Sequence, residues 1–199
     1  MEINISAARV GGVRSNFPGI KLYASPDELT MKVPLLGVYK FTPGDIISFE
    51  DNKGLYGANV FINHNVLDYP QKISLDYKGG AHALALLLNQ HGFIPKGVAG
   101  ASLLRKGFPA RWSFIITAVL LWNGMLIYGK LQNQFTLYSL IAIAAMLLIT
   151  AFLPRSAALQ KLALKDGRRV GEIRPTLNLL KLVAAVIFVA SLFSLLLTR

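Results

Sequence analysis

The sequence predicts an α+β protein: a small antiparallel β-barrel or sandwich capped by one C-terminal helix, followed by three transmembrane α-helices. Three observations carry that expectation. The first half alternates apolar and polar residues between Pro/Gly turns, as half-buried strands do. The second half holds three long apolar runs with almost no charge. The basic residues divide the same way: residues 1–100 carry nine Lys/Arg against eight Asp/Glu, and residues 101–199 carry twelve against two. At 199 residues and 53% hydrophobic, the chain has room for one to two domains and is too apolar for a typical soluble protein. A net charge of +11 would ordinarily raise nucleic acid as a partner. Here the excess lies beside the apolar runs, so membrane lipids are the expected partner and nucleic acid is not.

"EINISA" (2–7) is the first strand, followed by "GIKLYAS" (19–25), which ends at Pro26, and by "ELTMKV" (28–33), whose Leu29, Met31 and Val33 share a face. "GVYKF" (37–41) resumes after Pro34 and stops at "TPGD", a Pro/Gly turn. "IISFED" (46–51), "GANVFINHN" (57–65) and "KISLDYK" (72–78) complete the set. Gly79-Gly80 then breaks the pattern, and "AHALALLLNQHGF" reads as a helix with Leu84, Leu87 and Leu88 on one side and Gly92 as its stop. Strands closed by one amphipathic helix suggest a small barrel with its open end plugged.

The division expected is a soluble cytosolic part over 1–94, a basic juxtamembrane linker over 95–111, and a membrane part over 112–199. Its helices are expected at 112–130, 135–153 and 177–198, since a bilayer core of ~30 Å needs about 20 residues. Lys181 lies close enough to one end for its stem to reach the headgroups, and Trp112 and Tyr128 stand at opposite ends of the first helix, where such rings prefer to lie. The second apolar run could continue into the cytoplasm until Asp166-Gly167 ends it. Positive-inside charge puts the N-terminal half and the loop over 154–176 in the cytoplasm, with the short first loop and the C-terminus outside the plasma membrane. Arg105, Lys106, Arg111, Arg155, Lys161, Lys165, Arg168, Arg169 and Arg174 are therefore the candidate contacts to the membrane surface or to an anionic lipid. Asn123, the most polar residue within a span, is a candidate helix–helix contact, within the chain or to a partner. Self-association or another membrane protein is the partner expected in the bilayer.

Chemistry is sparse. With no cysteine, thiol chemistry and Cys-based zinc sites are excluded. The N-terminus "MEINISAARVGG" has no apolar core of signal-peptide length. No phosphate-cradling glycine loop, HExxH or Gly-x-Ser-x-Gly is present. His82 and His91 are nine residues apart on one predicted helix, about 180° out of phase, so they do not share a metal. A base–carboxylate pair of His64 with Asp68 or Asp76 is conceivable, although alternation puts His64 on the face of Val60 and Ile62. No catalytic residue, metal or cofactor is expected.

Two stretches carry a resemblance. "GVYKFTPGDIISFED" resembles the middle of bacterial pleckstrin-homology-like domains of the GRAM-like, membrane-tethered kind, and "FINHNVLDYPQKISLDYKGGAHALALLLNQHGF" is similar to their later layout. The likeness covers roughly residues 19–93 and implies a non-catalytic fold used to bind lipids, peptides or proteins. Family members that bind phosphoinositides cluster basic residues in an early strand loop, whereas Lys21, Lys32 and Lys40 lie apart here. Two functions follow as expectations: a membrane-anchored binding or interaction module, or a small membrane-embedded enzyme or transporter subunit that uses Asn123 and the basic loop.

Overall fold

A computed structural model describes residues 1–16, 18–51, 60–98 and 107–197. The chain divides into two compact units, Met1–Phe108 with Gly171–Thr176, and Pro109–Val170 with Leu177–Arg199.

The first unit holds nine described strands: β1 (Glu2–Ile5), β2 (Ala8–Val10), β3 (Val13–Ser15), β4 (Ile20–Ala24), β5 (Leu29–Val33), β6 (Gly37–Phe41), β7 (Ile46–Asp51), β8 (Val60–His64) and β9 (Ile73–Leu75). One helix, α1 (Gly80–Gln90), follows them. The strands form two antiparallel sheets, ordered β1-β4-β5-β6 and β3-β2-β9-β8-β7. The sheets do not close into the barrel that the strand pattern suggested. No described ladder joins the two sheets, so they stack as layers with β1, β6, β3 and β7 at their edges. The chain changes sheet between β1 and β2, over Ser6 and Ala7, instead of closing a ring.

Alternation explains the packing. In β4, Ile20, Leu22 and Ala24 point inward, and in β8, Val60, Ile62 and His64 do. The inward rows of both sheets meet in one core with Ala81, Leu84 and Leu88 of α1 and with Phe93 just beyond it. Each large apolar side chain buried there contributes about 1.5–3 kcal/mol. Leu87, expected beside Leu84 and Leu88, is only half-buried; Ala81, one turn earlier, completes the buried stripe.

The β2–β3 hairpin was not expected. Its two-residue turn is Gly11-Gly12, and Gly11 takes φ +62, the positive value that a tight hairpin turn needs at its first central position. The start of α1 depends on glycine for a different reason. Gly79 and Gly80 take φ +102 and +76, and a Cβ on Gly80 would lie 2.7 Å from Asp51 Oδ1. That space lets the Asp51 carboxylate, at the end of β7, accept the Ala81 N–H at 2.7 Å. The helix has no side-chain cap of its own, so a residue 30 positions away supplies one.

In the second unit α2 (Trp112–Leu131) and α3 (Phe135–Phe152) form a helical hairpin. Asn133 in the turn adopts φ +57, the left-handed value common just past a helix end. Gly129 is buried against α3, where its added Cβ would stand 2.6 Å from Tyr138 Cβ, and Tyr128 meets Tyr138 edge to face at 5.2 Å. A short helix α4 (Ala157–Ala163) follows, then a 3-10 turn (Val170–Ile173) and α5 (Arg174–Leu197). The expected continuation of the second apolar helix toward Asp166 is interrupted. Leu153 keeps helical backbone, but Pro154 lacks the N–H that would carry the ladder on. Ser156 then starts α4 afresh by accepting the Leu159 N–H, and the Gln160 amide donates to the carbonyls of Leu153 and Pro154, each at 3.1 Å.

Among the described residues, three helices are long and apolar enough to cross a membrane by length and composition: α2, α3, and α5 with its preceding turn. Their sides are mostly exposed, and Trp112 at the start of α2 is 61% exposed.

Candidate functional site

The loop between β8 and β9 gathers the polar residues that suggested chemistry. His64 ends β8 and is buried. Its Nε2 lies 3.0 Å from the Pro70 carbonyl oxygen. A carbonyl only accepts, so the ring proton sits on Nε2. Phe41 stands 5.4 Å from the His64 ring, and Tyr69 stands 5.4 Å from Phe41 and 5.2 Å from Tyr39, both edge to face. The Tyr69 hydroxyl accepts the Lys40 N–H at 3.1 Å, and the Tyr39 hydroxyl donates to the Leu36 carbonyl at 2.9 Å. Burial pushes the Tyr39 phenol well above its ordinary range.

The three candidate catalytic side chains take separate partners. The Asp76 carboxylate accepts from the Ser6 hydroxyl at 2.9 Å, Asp68 lies against Gly171, and His64 turns to Pro70. The acid whose charge reaches His64 is Asp45. That carboxylate is held by the Thr42 N–H and hydroxyl, both at 2.7 Å. His82 and His91 are exposed. Among the described residues no three metal-ligating side chains form a group.

Burial is the first cause of a lowered His64 pKa, opposed by the Pro70 carbonyl and the Asp45 charge. The unfolded imidazole titrates near 6.5 and the folded one lower. His64 therefore contributes stability above about pH 6.5, and that stability is lost as pH falls through the folded value. The melting temperature of the full-length protein should drop over this window, and His64→Phe should flatten the drop. An equal drop in the variant would assign the effect to other groups.

The two outer sheet faces differ in how their basic residues are paired. On the four-stranded sheet, register sets Lys21 opposite Lys32 and Lys40 opposite Thr30, so lysines distant in sequence share one face. Each has a neighbour that answers it. Glu2 meets Lys21 at 2.7 Å, Glu28 meets Lys40 at 3.1 Å, and the Lys32 ammonium lies 4.8 Å from the centre of the Tyr23 ring. The Thr30 hydroxyl and then Lys40 hold the Glu28 carboxyl below its usual range.

The five-stranded sheet is answered less. Arg9 stands directly opposite Arg14 on one side and Ser74 on the other. Counting out from the two-residue turn makes Arg9 and Arg14 a non-hydrogen-bonded pair, whose Cα atoms approach to about 4.5 Å. Like charges directly opposed are destabilising. Lys72 joins the same face, just before β9, its carbonyl accepting the Gly11 N–H at 2.7 Å. Arg14 Nε donates to Asn16 at 3.0 Å, and among the described residues Arg9 and Lys72 form no ion pair. Two guanidinium groups and an ammonium on one exposed face suit a phosphate or carboxylate. Sequence reading missed this face because Arg9 and Arg14 become neighbours only through a hairpin it did not expect.

Of the candidate membrane-surface residues, Arg105 and Lys106 lie outside the described residues. Arg111 is held by the chain itself: its Nε donates to the Leu164 carbonyl and a terminal nitrogen pairs with Asp166, both at 2.7 Å. A bridge between Ala110 and Leu164 ties the same two segments. Arg155, Lys161, Lys165, Arg169 and Arg174 are exposed, and Arg168 is half-buried. Gly171–Thr176, at the end of the basic loop, belongs to the first unit, with Glu172 and Ile173 buried. Asn123 is exposed, and its amide donates to the Val119 carbonyl of its own helix at 2.8 Å.

Set against family models, curated proteins and solved structures, the chain matches none of them.

Proposed function

We propose that this is a multi-pass protein of the plasma membrane that presents its β unit at the inner surface as a pleckstrin-homology-like binding or interaction module, without enzymatic activity. The observation that carries the reading is one chain joining a two-sheet unit with its own core to three helices of spanning length whose apolar sides are exposed. In water such sides are costly; lipid covers them without cost. The unequal loop charge supports an N-terminus and second loop in the cytoplasm and a C-terminus outside. The separate partners of His64, Asp68 and Asp76 favour binding over catalysis, and the Arg9–Arg14–Lys72 face is the module's candidate contact for an acidic group.

The chain has no cysteine, so single introduced thiols report topology without background. Lys78→Cys and Lys165→Cys should resist a membrane-impermeant maleimide on intact cells and react after permeabilisation, while Asn133→Cys should react at once. Reaction at all three sites on intact cells would sink the reading. In the same preparations Arg9→Gln/Arg14→Gln should remain in the membrane and lose salt-sensitive retention of acidic lipid or protein partners. Unchanged retention would remove that face from the module.

A further inference from the structure

We infer that α2 is the self-association face of this protein, and that Asn123 of one copy hydrogen-bonds Asn123 of a second copy within the bilayer. The inference rests on the reading that α2 crosses a membrane. Asn123 is the twelfth of the 20 residues of α2, close to the middle of the span, where water is scarcest. One amide proton goes to Val119 in its own helix. The other proton and the carbonyl oxygen have no partner among the described residues. A polar group left unmade in hydrocarbon is costly.

The neighbouring helix does not supply that partner. α2 meets α3 through Gly129, six residues on and therefore about 120° round the helix from Asn123. On Asn123's own side stand Ile116, Leu120 and Ile127, all more than half exposed. Gly124, about 100° round from Asn123 but one turn on from Leu120, borders that face, and a Cβ added there would meet nothing within 4 Å. That face combines an unsatisfied amide with an open glycine beside it, the pairing that lets helices in a membrane approach closely and bond.

The occupant follows from the chemistry of the amide. A carboxamide carries both a donor and an acceptor, so two identical faces related by a two-fold axis satisfy each other reciprocally. A second copy needs no further polar group. The flanking Ile116, Leu120 and Ile127 are apolar and equally self-complementary.

The absence of native cysteine makes the test direct. Leu120→Cys and Ile127→Cys, in the full-length protein in its own membranes, should form disulfide-linked dimers on mild oxidation. Leu121→Cys is as exposed as Leu120 but about 160° from Asn123, and should not. Adding Asn123→Leu should lower the dimer association constant by about ten- to a hundredfold, while Asn123→Gln should preserve it. Equal crosslinking at Leu121, an undiminished dimer association constant in Asn123→Leu, or a thiol at 120 that captures a different protein instead of a second copy would each overturn the inference. Carbonate extraction of the same membranes keeps the two readings apart. Protein retained without dimers rejects self-association alone, whereas protein released rejects the membrane reading together with the interface built on it.

Discussion

Gly171→Ala is expected to lower the melting temperature of the full-length protein by about 5–20 °C. A Cβ at this position would lie 1.9 Å from the Asp68 carbonyl oxygen and 2.6 Å from its carboxylate. The nearest atom is backbone and cannot rotate aside. Relief requires the β8–β9 loop or the incoming segment to move, and both are committed. The loop is tied down by the His64–Pro70 contact and by Tyr69 packed on Tyr39 and Phe41. The segment buries Glu172 and Ile173 beside Gly171. Overpacking of this kind costs about 1–3 kcal/mol or more, and for a domain of this size each kcal/mol is worth about 4–8 °C. Hydrogen exchange should localise the loosening to residues 65–72. Gly12→Ala is the control, since a Cβ there meets nothing within 4 Å. Equal melting of the two variants would show that the close approach is not maintained in solution.

Phe41→Ala is expected to cost about 3–5 kcal/mol, the range for a large aromatic removed from a core that cannot collapse around the gap. Phe41 is fully buried, at the end of β6, and joins His64 of one sheet to the Tyr39 side of the other through Tyr69. Its loss should also wet the imidazole. With burial as the first cause of the lowered His64 pKa, the variant's His64 should titrate closer to 6.5, and its melting temperature should depend less on pH. Denaturant unfolding gives the first quantity and a melting series across pH the second. A variant that loses stability while keeping the full pH slope would detach His64 from this cluster.

Much of the local structure was legible in the residues. Alternation located β4 to β9, Gly79-Gly80 located the start of α1, and long apolar runs with almost no charge located α2, α3 and α5. The β2–β3 hairpin carried a signal too, since "ARVGGVRS" is a two-residue glycine turn between short mirrored strands. Its strands are only three residues each, too short for alternation to stand out. The break after α3 was marked by Pro154 and Ser156, a helix stop followed at once by a helix start.

The sequence by itself determined which stretches are strands and which are apolar helices, because period and apolar length are local properties of a chain. Only the tertiary structure decided that the sheets stack without closing, because closure depends on which edges pair, and strand pattern says nothing of that. It also decided that Asp51 caps a helix 30 residues later, that Gly171 must be bare to lie on Asp68, and that Arg9 faces Arg14. Each of these is a contact between residues that no short window holds together. Asn123 shows the division most sharply: its position in a span could be read from the chain, but the side of the helix it occupies, away from α3, is a matter of packing.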